Sequence, residues 1–339
     1  MTWGNVASVR HSNVKVHVSN QKSNLPLPKS AQIEVTNKCN LRCQMCPLSD
    51  PDYRPPSKSQ HLSVKDFKIL LDRLPSTIET ISLQGLGEPL LNRDLIEIIR
   101  YAHQQGKAVT FFTNSTVLTR DKAIQICRSG LSHLMFSLDG GTKQTFERIR
   151  QGADFDEVIA NMRGMATVKE ELGASTPTLG IMVVGMKENI HEIPLIIDIA
   201  HGMEVPSVTV KNLYPGEGIG GDPLTDEDIK YLAQTCAGHA LSRGIRFSHP
   251  QHATLDNRKA ERSCRWLWDA TYVMANGFVT PCCFSYEGHF PNLKETPFEE
   301  IWNSGLHHDF REELLNGMPS LCEECPAYSI KMVSHTPDA

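Results

Sequence analysis

Residues 31–48 read AQIEVTNKCNLRCQMCPL. The first six alternate apolar and polar side chains with the period of two that a strand requires. Three cysteines, Cys39, Cys43 and Cys46, follow at once in the spacing C-x3-C-x2-C. In parallel sheets the site sits on loops beyond the C-terminal ends of the strands. A strand that runs straight into a ligand-bearing loop therefore marks both a fold and the place of its chemistry.

The chain beyond it repeats strand and helix. Strand-like runs at 78–84, 107–113, 132–139, 177–185 and 206–213 alternate with helical spacing at 64–74, 92–106, 120–130, 156–172, 189–202 and 226–244. Ser63 is a natural N-cap for the first helix, and Gly106 and Gly130 stop the second and third. Six strand–helix units predict a parallel sheet with right-handed crossovers. Being fewer than eight, they predict an α/β partial (βα)6 TIM-like barrel, open on one side. Upstream, Val14-Lys15-Val16-His17-Val18 reads equally as an edge strand or part of a tail. After about residue 250 the texture changes. TYVMANGFVTPCC (271–283) carries the hairpin signal Asn276-Gly277, residues 298–317 read as one helix, and LCEECP (321–326) follows. The expected organisation is a tail or edge strand at 1–29, a core domain at 30–250, a small cysteine-bearing domain at 251–330 and a tail at 331–339.

With 34 basic and 39 acidic residues in 339, the net charge is −5. No basic run suggests a nucleic-acid partner. No apolar stretch approaches the roughly 20 residues that span a bilayer, and the N-terminus lacks a signal-peptide core, so a cytoplasmic protein is expected. In a reducing compartment clustered cysteines point to metal or redox chemistry rather than disulfides. Of ten cysteines, only Cys127 and Cys236 stand apart from such clusters. Three thiolates suit a cubane [4Fe–4S] cluster with one iron left open, whereas structural zinc closes with four ligands. Zinc remains the competing reading of the triad.

CNLRCQMC resembles the cluster loop of the radical S-adenosylmethionine (SAM) superfamily. Two further stretches share the likeness. GLGEP (85–89), with Gly85 and Gly87, is similar to the family motif whose glutamate meets the SAM amino group, a role that falls on Glu88. SLDG (137–140) is similar to the segment that meets the SAM carboxylate or ribose, which points to Ser137. Thr113 and Asn114 end the third strand and face the same site or simply form a turn. Arg150 pairs with the SAM carboxylate or lies on the surface. GIMVVGMKE (180–188) matches the adenine-packing pattern only loosely, and Glu188 receives no role. The resemblance implies a SAM-binding [4Fe–4S] cluster with an open iron, SAM itself and a one-electron reductant such as flavodoxin or ferredoxin. It implies reductive cleavage of SAM to a 5′-deoxyadenosyl radical that abstracts hydrogen from a substrate.

The C-terminal region resembles the SPASM/twitch extension of that superfamily. The likeness makes Cys264, Cys282, Cys322 and Cys325 ligands of a closed auxiliary [4Fe–4S] cluster, with zinc again the alternative. Trp266, Trp268 and Tyr272 are expected to pack around it, and Cys127 to be core. His307 and His308 are expected on the surface. Cys283 and Cys236 are candidate hydrogen-atom donors to a substrate radical, Cys236 being equally a core residue. The substrate expected from this likeness is a small hydroxylated metabolite (a sugar, aminocyclitol or nucleoside) that is dehydrogenated or epimerised, because the residues before the first strand are too few for a peptide-recognition domain. A peptide- or protein-modifying maturase is the alternative. A non-catalytic iron–sulfur or zinc redox sensor is the alternative of another class.

Overall fold

The computed structural model describes residues 25–51, 53, 60–213, 219–251, 264–283, 290–303, 305–317, 322, 325 and 332–337. The Val14–Val18 stretch lies outside them. Six parallel strands keep chain order in one sheet: β1 (Ser30–Ile33), β3 (Thr80–Ser82), β4 (Ala108–Thr113), β5 (His133–Ser137), β7 (Thr178–Gly185) and β8 (Ser207–Asn212). Two short strands between them, β2 (Arg42–Cys43) and β6 (Arg150–Gln151), form their own antiparallel ladder. The crossovers are α1 (Val64–Arg73), α2 (Leu95–Gln104), α3 (Arg120–Cys127), α4 (Lys143–Ile149) with α5 (Phe155–Glu171), and α6 (Ile193–Gly202). This is the sheet and helix alternation of a partial barrel. Strand residues such as Ile33, Ile81, Phe111, Phe136, Ile181 and Val210 are buried in one core with Phe67, Leu70 and Ile98 of the helices. The alternate residues therefore face the barrel interior.

Local chemistry accounts for the helices. Ser63 accepts from the Asp66 amide at 3.0 Å, and Phe67, Leu70 and Leu71 bury one stripe of α1. Helix α4 escapes the sequence reading because it is short and polar. It is held instead by its surroundings: Glu192 accepts from the Gly141 and Thr142 amides at 2.8 and 3.0 Å, and from the Thr145 hydroxyl at 2.7 Å. The helix expected at 226–244 is two α segments, α7 (Asp226–Tyr231) and α8 (Ala237–Ser242), joined by a wider π turn over Leu232–Cys236.

The sheet is larger than six strands. Beyond β8 lie parallel β9 (Arg246–Pro250) and antiparallel β12 (Met332–His335). At the other edge β10 (Ala270–Val273) pairs in parallel with β1 from Ser30↔Ala270 to Ile33↔Val273, and β11 (Val279–Thr280) folds back on it. The C-terminal cysteine region is thus stitched to the barrel through the strand that leads into the first cysteine loop. The hairpin exists, but its connection is residues 274–278 rather than two residues, with Gly277 at φ +93° and its amide on Met274 O. The helix expected at 298–317 is two, Phe298–Trp302 and Gly305–Asn316, because Asn303 ends the first with its side chain on Glu299 O at 2.8 Å. Among the described residues no helix is long and apolar enough to cross a membrane.

Candidate functional site

The three-cysteine loop leaves β1 and is fixed on two sides. On one side is GLGEP. The Glu88 amide donates to Lys38 O at 2.8 Å, and a Cβ on Gly87 would stand 2.4 Å from Thr36 O and 2.6 Å from Lys38 O. Only glycine lets the two loops close this far. On the other side Cys43 pairs with Arg150 across the β2–β6 ladder. Cys43 is buried, and Cys39 and Cys46 are half-buried. Burial pushes the Cys43 thiol up to about 12, with Arg150 drawing it down, and also raises Cys39 and Cys46. Thiols in such a pocket hold their protons until a bound cation makes thiolates favourable.

Glu88 is 3% exposed. One carboxylate oxygen accepts from the Leu90 amide at 3.0 Å and the Thr113 hydroxyl at 2.8 Å, and the other from the Asn114 amide at 2.7 Å. Burial raises its pKa against those donors and Arg150. Asn114 in turn donates to Asn40 Oδ1 at 3.0 Å and stands 3.9 Å from Cys39 Sγ. The next residue, Ser115, has φ +64°, a left-handed conformation uncommon for serine, at the point where the chain turns past the site. The end of β4 is therefore locked to the second motif and to the cysteine loop. Ser137 ends β5 half-buried, beside Met182 of β7.

Arg150 is no surface residue. Its side chain is 9% exposed, its Nη2 lies 2.7 Å from Asp139 Oδ2, and its Nη1 lies 4.0 Å from Cys43 Sγ. Asp139, inside the SLDG stretch, was missed as a partner. Its side chain is 0% exposed, and its other oxygen accepts from the Val184 amide at 2.7 Å. Its burial was the missing information, because a loop aspartate in a sequence reads as a turn former. Glu34 was missed too. It lies where Gly85 leaves room, since a Cβ there would meet Glu34 Cγ at 2.4 Å. Its carboxylate accepts from Tyr272 of β10 at 3.2 Å, and burial raises its pKa. Tyr272 is therefore a link between modules as well as packing. Glu188 is drawn to the cysteine loop by Gln44 Nε2, and the Gly220 amide closes on Gln44 O at 2.7 Å.

In the C-terminal module Cys264, Cys322 and Cys325 share a buried cluster with Leu267 and Leu314, walled by Trp266, Trp268 and Phe310. Burial pushes the Cys322 thiol to about 12, and the like charges of Cys325, Cys264 and Cys282 push the same way. Cys283 is half-buried. Burial, Cys282 and Cys325 raise its pKa, and the Lys211 ammonium lowers it. Cys236 is wholly buried in the main core beside Tyr231. Cys127 packs against that core as expected. His307 contradicts the surface expectation at 1% exposure, because its helix turns that face onto Trp302, whereas His308 is exposed. Among the described residues no three Cys, His, Asp or Glu side chains close on one point as a lone metal ion needs. A cubane places each thiolate on a different iron. Three thiols on one loop with a guanidinium beside them, and three more walled by tryptophans with Cys282 acting on Cys322, fit such clusters chemically.

Known families match both halves. The radical SAM superfamily matches residues 33–200, and the SPASM iron–sulfur cluster-binding domain matches residues 264–326. The chain belongs to the radical SAM superfamily and carries a C-terminal SPASM domain; by family it is an enzyme with a SAM site, a [4Fe–4S] cluster and an auxiliary cluster. It is 27% identical to an Fe-coproporphyrin III synthase of Methanosarcina barkeri over 84% of this chain and 74% of that protein. It is 25% identical to the mycofactocin maturase of Mycobacterium tuberculosis over 87% of this chain and 75% of that one. In fold it resembles SuiB of Streptococcus suis, with a TM-score of 0.71 and 18% identity over 90% of this chain and 72% of SuiB.

Proposed function

We propose that this chain binds SAM on a [4Fe–4S] cluster held by Cys39, Cys43 and Cys46, and that it modifies a peptide or protein. When bound and reduced, such a cluster would supply one electron for the cleavage of SAM to methionine and a 5′-deoxyadenosyl radical, which would take hydrogen from the substrate. Glu88 accepts the SAM amino group, oriented by the donors that hold its carboxylate. Asn114 and Ser137 line the remaining SAM surface at the ends of β4 and β5. Asp139 holds Arg150 toward the SAM carboxylate. Cys264, Cys282, Cys322 and Cys325 hold the auxiliary cluster. Cys283, beside those thiols, is the donor placed to return a hydrogen atom. Cys236, packed in apolar core, serves stability. The electron enters from a flavodoxin- or ferredoxin-like donor.

The observation that carries the radical chemistry is the convergence of the cysteine loop, Glu88, Asn114 and Arg150 at the C-terminal ends of parallel strands. The peptide reading is supported by relatives named mycofactocin maturase and PqqA peptide cyclase, and by the fold of SuiB, whose structure is known with a precursor peptide. The small hydroxylated metabolite expected from the sequence has less support. Anaerobic protein with dithionite and SAM tests the whole reading. Wild type is expected to release deoxyadenosine and Cys43→Ala none. Equal release by the two rejects the cluster assignment. Release stimulated by sugars and never by peptides rejects the substrate class.

A further inference from the structure

We propose that Arg311 is a positioning residue for the auxiliary cluster, a buried counter-charge that steadies the cluster and raises its reduction potential; this rests on the reading that Cys264, Cys282, Cys322 and Cys325 hold a cubane. The helix Gly305–Asn316 buries His307, Arg311 and Leu314, with Phe310 half-buried between them, on one face. Leu314 and Phe310 pack with Cys264, Cys322 and Cys325. Arg311 therefore lies on the face turned toward those thiols, where it is 3% exposed. Two of its donors clasp neighbouring helices. Nε donates to Leu267 O at 2.8 Å and Nη1 to Trp302 O at 2.7 Å. Both carbonyls lie at the C-terminal ends of short helices, Arg265–Trp268 and Phe298–Trp302, where intrahelical donors have run out. The first of these helices starts directly after Cys264, and the Leu267 amide returns to Cys264 O at 3.2 Å. One side chain thus fastens a cysteine-bearing segment to the helices around it.

The charge itself is unanswered. Burial lowers the Arg311 pKa to about 10, so the guanidinium stays protonated at neutral pH. Its Nη2 is buried without a hydrogen-bond partner, and among the described residues no carboxylate pairs with it. Arg150 at the first site, by contrast, has Asp139 at 2.7 Å. The partners Arg311 does have are ring faces. Its Cζ lies 4.3 Å from the centre of the Trp302 ring and 5.5 Å from that of Trp268. Trp268 belongs to the wall of the cysteine cluster, so the guanidinium stands directly behind that wall. A cation shut away from water is costly unless an opposite charge answers it. Four thiolates around a cubane make a net anion, and reduction adds a further negative charge. Arg311 is the cation placed to answer that charge across the indole. It therefore favours the thiolate-bound cluster, and the reduced state more than the oxidised.

The test is a redox titration of full-length, cluster-loaded protein followed by electron paramagnetic resonance. The auxiliary signal is the one that added SAM leaves unchanged. Arg311→Lys keeps the charge and gives up the fork, and it should share the wild-type midpoint potential. Arg311→Met should favour the oxidised cluster about tenfold, a fall of about 59 mV for one electron. His307→Glu sets a carboxylate one turn away from Arg311, gives up no hydrogen bond and leaves the clasp on both carbonyls; it should lower the potential likewise. Loss of the auxiliary signal from both neutralising variants, with Arg311→Lys retaining it, also upholds the counter-charge. An unmoved potential in either neutralising variant overturns it, and so does an equal fall, or loss of the signal, in Arg311→Lys. Wild type with no SAM-insensitive cluster signal sinks the auxiliary-cluster reading, whereas a signal whose potential ignores these charges sinks only this inference.

Discussion

Replacing Asp139 with asparagine removes one charge from a pair shut away from water. The side chains of Asp139 and Arg150 are 0% and 9% exposed, and they meet at 2.7 Å. Asparagine keeps the shape and an oxygen for the Val184 amide, so the change isolates charge. The guanidinium is then left buried without its carboxylate. Removing one partner of a buried ion pair costs about 3–5 kcal/mol, because the remaining charge stays desolvated. That is a large share of the roughly 5–15 kcal/mol that holds a domain together. Arg150 also loses the contact that aims it past Cys43. Urea unfolding followed by tryptophan fluorescence should show a loss near 3–5 kcal/mol. Calorimetry on cluster-loaded protein should show SAM bound about tenfold or more weakly, the equivalent of about 1.4 kcal/mol. A variant within about 1 kcal/mol of wild type, with unchanged SAM affinity, would refute the view that this pair organises the site.

Two further outcomes follow from the packing. Gly87→Ala places a methyl against Thr36 O and Lys38 O, backbone atoms that cannot step aside. It should cost about 1–3 kcal/mol and lower iron incorporation at the first site, and full iron content at wild-type stability would count against the close approach. His307 is buried with both ring nitrogens unpartnered among the described residues, and burial followed by Arg311 lowers its pKa to about 3. Its folded pKa lies below its unfolded value, so unfolding takes up a proton below about pH 6.5 and stability falls as pH drops. At pH 5.5 this amounts to about 1.4 kcal/mol relative to pH 8. His307→Leu gives up no hydrogen bond and should erase that share of the pH slope in urea titrations; an unaltered slope would assign it to another group.

Much of this protein is local, and what is local can be read from residues in order. Period-two runs ending in loops, capped amphipathic helices and C-x3-C-x2-C each declare themselves within about twenty residues. From these came the core strands, their order and both cysteine sets, since strand–helix alternation leaves few topologies open. Residues whose meaning comes from distant neighbours stayed silent. Asp139 and Arg150 lie 11 positions apart, on either side of α4, and their contact shows only in the folded chain, where Arg150 also pairs with Cys43 across β2 and β6. Glu34 meets Tyr272 across 238 positions because β10 joins β1. A charge has no periodicity to betray its direction, and its energy depends on whether water reaches it. The sequence by itself determined the six core strands, their order and which cysteines cluster; only the closed fold decided the short polar α4, which charges are buried and what they face, because burial depends on neighbours far away in the chain.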